Sequence, residues 1–183
     1  MKKLTSILLI AAAALILGAC EGPVGPVGPP GEDGYNFLGS VFEIQGDFTR
    51  SNNYTLYKEF PNNIEVYESD VVLAYILWET TDGLDVWRLM PQSVFIRNND
   101  LYGEIVYNFD YTYADIQIFL EFTIPEDELL PSETNNQIFR IAILPADFVA
   151  KNDVSTFSSL IQSPELELKS FDLTNTEVKT IQK

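Results

Sequence analysis

Histidine is absent from this 183-residue chain, and cysteine occurs once, at Cys20. Without imidazole there is no general base for a Ser-His-Asp or Cys-His nucleophile. Without a second thiol no disulfide can close within one chain. Zinc and copper centres draw mostly on His and Cys ligands, so no metal and no cofactor is expected. Beyond Gly34 only Gly39, Gly46, Gly83 and Gly103 remain, too few and too dispersed for a glycine-rich loop that cradles a nucleotide phosphate. Positive charge is also short: 11 Lys and Arg face 27 Asp and Glu, a net charge of −16. The bases are scattered, and nucleic acid, which is bound by releasing counterions to Lys and Arg, is not an expected partner. The acidity suits solubility and spacing from other acidic surfaces. Long apolar runs are missing too. The uncharged stretch Leu4 to Leu17 falls short of the roughly 20 residues that a helix needs to cross hydrocarbon.

What is present begins with that stretch. Lys2 and Lys3 precede it and the small residues Gly18 and Ala19 follow it, the layout of a secretory signal over residues 1–19. The order Leu17-Gly18-Ala19-Cys20 resembles the lipobox of bacterial lipoproteins. That resemblance implies cleavage between Ala19 and Cys20, with Cys20 the lipid-carrying first residue of the mature chain. Two or more acyl chains hold a protein stably where one holds it only reversibly. Glycine then recurs at every third position, at Gly22, Gly25, Gly28, Gly31 and Gly34, with proline between. This is the repeat of collagen, in which only glycine fits the crowded axis. So short a tract, residues 20–34 with the anchor, reads first as a single-chain polyproline II spacer reaching about 37 Å. A weak trimer through the tract is the alternative.

From Tyr35 the composition turns to alternating apolar and polar residues rich in Phe, Tyr, Ile and Val, the mark of strands. One domain is expected over residues 35–173, followed by a polar tail over 174–183. Ile105, Tyr107, Phe109 and Tyr111 fall on one face of a strand over 104–111, and Ile116, Ile118, Leu120 and Phe122 on one face of a strand over 115–123. The two are joined by a hairpin turn at 112–114. Residues 71–78 and 137–144 are apolar on both faces, Arg140 excepted, as in central strands covered on both sides. Further strands are expected over 37–44, 54–60 and 165–172, and over 86–96 with an interruption at Pro91 that marks an edge or a bulge. Residues 145–161 carry helical spacing and predict two short helices, the second capped by Asp153 or Ser155. About eight strands result, and the fold class is mainly β: an antiparallel β-sandwich, Ig-like or jelly-roll, with a small helical insertion before its last strand.

Few side chains in this domain suggest chemistry. Trp78 and Trp87 flank the acidic turn at 81–85, where aromatic rings beside carboxylates can stack on sugars, and they are the candidate ligand-binding residues. Tyr107, Tyr111 and Tyr113 lie on the face that Ile105 and Phe109 mark as interior and are read as core. Glu104 and Glu121 come near each other across the hairpin and are the acid pair to test, since a glycosidase needs two carboxylates and no histidine. The acidic turns 82–85 and 126–128 offer oxygen atoms that suit calcium, but without EF-hand spacing, and are read as solvated loops.

The lipobox at Cys20, the immediate Gly22–Gly34 tract and one acidic, aromatic-rich β domain together resemble the collagen-like lipoproteins of uncharacterised function found in Gram-negative bacteria such as the Bacteroidota. The stretch Ile143-Leu144-Pro145-Ala146-Asp147-Phe148, followed by Asp153-Val154-Ser155, is similar to that group as well. The resemblance implies a protein lipid-anchored to the bacterial outer membrane, on its periplasmic or cell-surface side, and supplies no catalytic residues. The expectation is a non-enzymatic interaction or structural module with the membrane as one partner and a protein or glycan as another. A glycan-binding module using Trp78 and Trp87 is the alternative, and a glycosidase using Glu104 and Glu121 a more remote one.

Overall fold

The structure is a computed structural model that describes residues 37–98 and 101–171. The expected signal peptide, Ala19 and Cys20, the glycines from Gly22 to Gly34 and the tail from residue 174 lie outside the described residues.

Among the described residues nine strands form two sheets. Strands β1 (Phe37–Gly46), β3 (Val71–Thr81), β4 (Leu84–Leu89), β8 (Gln137–Leu144) and β9 (Leu166–Phe171) make a five-stranded sheet in the order β4-β3-β8-β1-β9. Strands β2 (Thr55–Glu59), β5 (Gln92–Asn98), β6 (Leu101–Tyr111) and β7 (Asp115–Phe122) make a four-stranded sheet in the order β2-β7-β6-β5. All pairings are antiparallel except β1 with β9, which run parallel. Three short α-helices, α1 (Pro131–Thr134), α2 (Ala146–Val149) and α3 (Phe157–Ile161), and two turns of 3-10 helix, Arg50–Asn52 and Glu126–Glu128, complete the elements among the described residues. The expected β-sandwich is present, with the helical insertion where the sequence places it.

Period-2 side-chain placement accounts for the core. Phe42 and Ile44 of β1, Val72, Ala74 and Ile76 of β3, and Phe139, Ile141 and Ile143 of β8 meet Ile105 and Tyr107 of β6 and Ile116, Ile118 and Leu120 of β7. The opposite face of the five-stranded sheet is apolar too. Val41, Tyr75, Ala142 and Leu144 are buried there under Phe148 of α2 and Leu160 of α3. This explains why β3 and β8 read as continuous apolar runs: each is covered by the second sheet on one side and by helices on the other. The helices lie on the connection from β8 to β9, which flank β1 on opposite sides, so that connection crosses β1.

Turn chemistry sets two of the joints. Asp82 and Gly83 have φ of 53° and 78°, the paired positive values that a two-residue β3–β4 hairpin favours and that Asp-Gly supplies. Gly103 answers a close approach instead, since a Cβ there would lie 2.4 Å from Ile124 Cγ2 and 2.8 Å from Thr123 Oγ1.

Some details depart from expectation. The segment 86–96 is not one interrupted strand. Its halves, β4 and β5, are edge strands of different sheets, joined through the cis peptide Met90-Pro91, which raises the strand count to nine. Thr156 caps α3, its side chain accepting from the Ser159 N–H at 3.1 Å, while Asp153 accepts from the Ser155 N–H at 2.9 Å just outside the helix. The short helix α1 and the turn of 3-10 helix at Glu126–Glu128 are too brief to leave a periodic signal.

Candidate functional site

The long connection between β2 and β3 folds over one end of the sandwich. Its backbone is fixed locally: the Ile64 N–H donates to Pro61 O at 2.9 Å, and Ile64 is buried in the inter-sheet core. Beyond it, the Asp70 N–H donates to Tyr67 O at 2.9 Å and the Tyr67 N–H donates back to Asp70 Oδ2 at 3.0 Å. These reciprocal bonds clamp residues 67–70 and leave the Tyr67 ring outside. The β6–β7 hairpin ends beside this loop. Thr112 organises its turn, donating from its N–H to Asp115 O at 2.9 Å and from Oγ1 to Asp115 Oδ1 at 2.7 Å, and accepting from the Ala114 N–H at 3.0 Å. The Phe60 N–H donates to Ala114 O at 2.8 Å and ties the turn to the end of β2.

Between loop and hairpin lies a cleft of about 240 Å³, floored by Val66 and Val72 and walled by Tyr67, Tyr111 and Tyr113 with Glu68 and Asp70. A broader groove of about 420 Å³, bordered by Glu59, Pro61 and Asn62, adjoins it and shares Val66 and Tyr113. The three tyrosines are 56%, 41% and 61% exposed. Tyr111 is braced by Phe109, stacked at 6.3 Å and 16°. Glu65 accepts a hydrogen bond from the Tyr67 hydroxyl, and that bond raises the Tyr67 pKa. Behind the hairpin, Tyr57 donates to Asp115 Oδ2 at 2.8 Å, and the bond pushes its pKa up to about 12. The walls therefore combine aromatic faces with carboxylates on backbone held by its own hydrogen bonds.

Tyr111 and Tyr113 correct the sequence reading, which placed both in the core. Tyr107 is buried as expected, its hydroxyl donating to Glu133 O at 2.8 Å. The alternation simply continues past the reach of the opposite sheet, so Tyr111 keeps the inward phase without the cover. Tyr67, Glu68 and Asp70 were not singled out by sequence reasoning. The one available signal was an aromatic set among acids in a stretch without strand periodicity.

The two tryptophans do not share a platform. Trp78 sits at a register shift between Leu77 and Glu79 and is half-buried against the inter-sheet core, whereas Trp87 packs against the cluster beneath the helices on the other face of the sheet. A guanidinium covers each ring, Arg88 at 4.1 Å from the Trp78 centroid and Arg140 at 3.9 Å from that of Trp87. Glu104 and Glu121 do share a face, the outer face of the four-stranded sheet, but as diagonal neighbours. Glu121 pairs with Val106, while the Glu104 N–H donates to Thr123 Oγ1 at 2.9 Å, so the two are diagonal neighbours, which on an antiparallel pair lie roughly 7–8 Å apart.

In each acidic turn one carboxylate has a partner of its own. Asp85 accepts from Thr80 Oγ1 at 2.9 Å, and Glu126 pairs with Arg50, which holds the Glu126 carboxyl at about 2. Among the described residues no group of three or more potential ligands converges to hold a metal ion, and no helix is long and apolar enough to cross a membrane. On β2, Lys58 is buried with the inward set, and burial lowers its pKa.

Comparison with family models, with curated proteins and with solved structures finds no match to this chain. Its class therefore follows from its own geometry: a β-sandwich, one sheet backed by helices, with a tyrosine-walled, carboxylate-rimmed cleft at one end.

Proposed function

We propose that this chain is an exported envelope lipoprotein, anchored to the bacterial outer membrane through acyl chains on Cys20, whose β-sandwich is a non-catalytic binding module. The observation that carries the reading is the order Leu17-Gly18-Ala19-Cys20 running directly into the Gly22–Gly34 triplets. One signature specifies attachment at a single atom, the Cys20 Sγ, and the next holds the domain off the lipid surface. The tyrosine cleft supports the binding part: a rigid concave site with aromatic walls and a few convergent polar groups is where small ligands and side chains are taken up. The absence of an imidazole supports the non-catalytic part.

Metabolic labelling with a palmitate analogue tests the anchor. Wild type is expected to take up label and Cys20→Ala to take up none; equal labelling of the two ends the proposal.

A further inference from the structure

The way this protein seats its own arginines indicates what its cleft takes. The chain has four. Arg88 lies over Trp78 at 4.1 Å and Arg97 over Tyr102 at 5.9 Å from the ring centroids. Arg140 is held between Trp87 at 3.9 Å and Phe157 at 4.5 Å, while its Nε donates to Glu43 Oε1 at 2.9 Å. Arg50 pairs with Glu126 beside the hydroxyl of Tyr54. The Arg140 seat contains all the elements at once: two aromatic rings for the guanidinium plane and a carboxylate for its N–H fork, the combination that suits Arg better than Lys.

The cleft repeats this composition. Tyr67, Tyr111 and Tyr113 supply ring faces, Glu68 and Asp70 supply carboxylates, and none of the described residues lining it is a Lys or Arg. Tyr67 and Tyr113 are more than half exposed, so their rings are open to a partner where Trp87 and Phe157 are taken by Arg140. The carboxylates give the cleft a sign, and a net charge of −16 over the chain draws a cation toward it from a distance. A neutral sugar could stack on the rings and donate its hydroxyls to the carboxylates, but only a cation also gains from the net negative field, which is why charge complementarity favours a cation over a glycan.

We propose that the cleft binds the guanidinium of an arginine side chain presented by an exposed segment of a protein partner. The proposal rests on the reading of the domain as a binding module and names its ligand.

The test uses the full lipidated chain in detergent and fluorescence anisotropy of a labelled peptide of alternating Gly and Arg. The same peptide with citrulline in place of each arginine keeps shape and hydrogen-bonding length and removes charge. The arginine peptide is expected to bind and the citrulline peptide not to. Tyr67→Ala and Tyr113→Ala, which leave the net charge unchanged, are each expected to weaken binding about fivefold, and Tyr113→Phe, which keeps the ring, to bind as wild type. Glu68→Gln is expected to weaken it, whereas Glu104→Gln, on the outer face of the four-stranded sheet and not among the residues lining the cleft, is not. Circular dichroism of each variant checks that it is folded.

Equal binding of wild type and both Tyr→Ala variants would mean that overall acidity, not the cleft, holds the peptide, and would overturn the proposal. So would equal binding of the citrulline peptide. If cellohexaose, but neither peptide, binds the protein and loses affinity in Tyr113→Ala, the guanidinium assignment fails and the binding-module reading stands. If neither peptide nor sugar responds to the cleft variants, both fail.

Discussion

In the five-stranded sheet, apolar side chains fill both faces, whereas the four-stranded sheet buries only one. Tyr75, Ala142 and Leu144 lie buried on the outer face of the first, beneath Phe148 and Leu160. The outer face of the second carries Glu104, Asn108 and Asp110 on β6 and Asp115, Gln117 and Glu121 on β7, with Val106 and Phe119 half-buried among them, the mainly polar face of an antiparallel sheet that meets water. The helices that make the difference span only four and five residues, far below the length at which a helix is stable alone. They persist because each drives one large apolar side chain into the sheet. The extra layer is therefore held by packing, with little contribution from helix propensity.

That difference can be broken at one residue. Phe148 is fully buried, packed edge-on against Phe37 at 5.6 Å. Phe148→Ala removes most of what holds α2 and leaves a cavity over β1 and β8, and the expected loss is about 3–5 kcal/mol in denaturant unfolding. A loss below about 1 kcal/mol would show that the helical layer is peripheral to stability.

The polar contacts that bind the layer give a smaller effect with a pH signature. Tyr75 is fully buried on β3, and its hydroxyl donates to Val154 O at 2.7 Å in the segment between α2 and α3. Tyr75→Phe leaves that carbonyl without its donor and is expected to cost about 1–2 kcal/mol. Burial raises the pKa of Tyr75, as it does that of Tyr107 in the inter-sheet core. A folded-state pKa above the unfolded value means that the folded state keeps a proton the unfolded state has lost. The stabilisation is thus complete below the unfolded value near 10 and disappears as pH rises through the folded one. Stability measured from pH 9 upward is expected to fall in wild type and to fall less steeply in Tyr75→Phe. Parallel curves would place the alkaline sensitivity elsewhere.

The same contrast explains how much of the molecule was legible beforehand. The runs 71–78 and 137–144 are apolar on both faces because two layers cover them, and the alternation of 104–111 and 115–123 is clean because only one does, so cover could be read directly. Which sheet a strand joins leaves no such mark. Residues 86–96 looked like one interrupted strand because the local pattern on both sides of Pro91 is that of a strand, and only tertiary contacts assign β4 and β5 to different sheets. The parallel partnership of β9 with β1 is likewise a property of the crossover and not of either strand. The site was the least legible. Tyr111 keeps the inward phase of β6 while standing beyond the opposite sheet, and Tyr67 belongs to a loop whose shape comes from backbone bonds to Asp70. Alternation reports the side to which a residue points, and exposure depends also on whether anything lies there.

The smallest expected effect is on the uncovered face itself. Phe95 projects from the edge strand β5 at 78% exposure, opposite Glu104, near Tyr102 at 65%. Phe95→Thr keeps a good strand former and removes a ring that is mostly in water, so stability should change by no more than about 0.5 kcal/mol. Set against the value for Phe148→Ala, this measures the asymmetry of the two sheets with one aromatic ring on each outer surface. A loss at Phe95 that approaches the loss at Phe148 would mean that the polar face of the four-stranded sheet is covered in solution by a second copy of the chain. Sedimentation velocity would then show the wild-type oligomer dissociating in Phe95→Thr. Equal sedimentation of the two, together with unchanged stability, establishes that one layer of helices distinguishes the sheets and that the bare face contributes little to the stability of the fold.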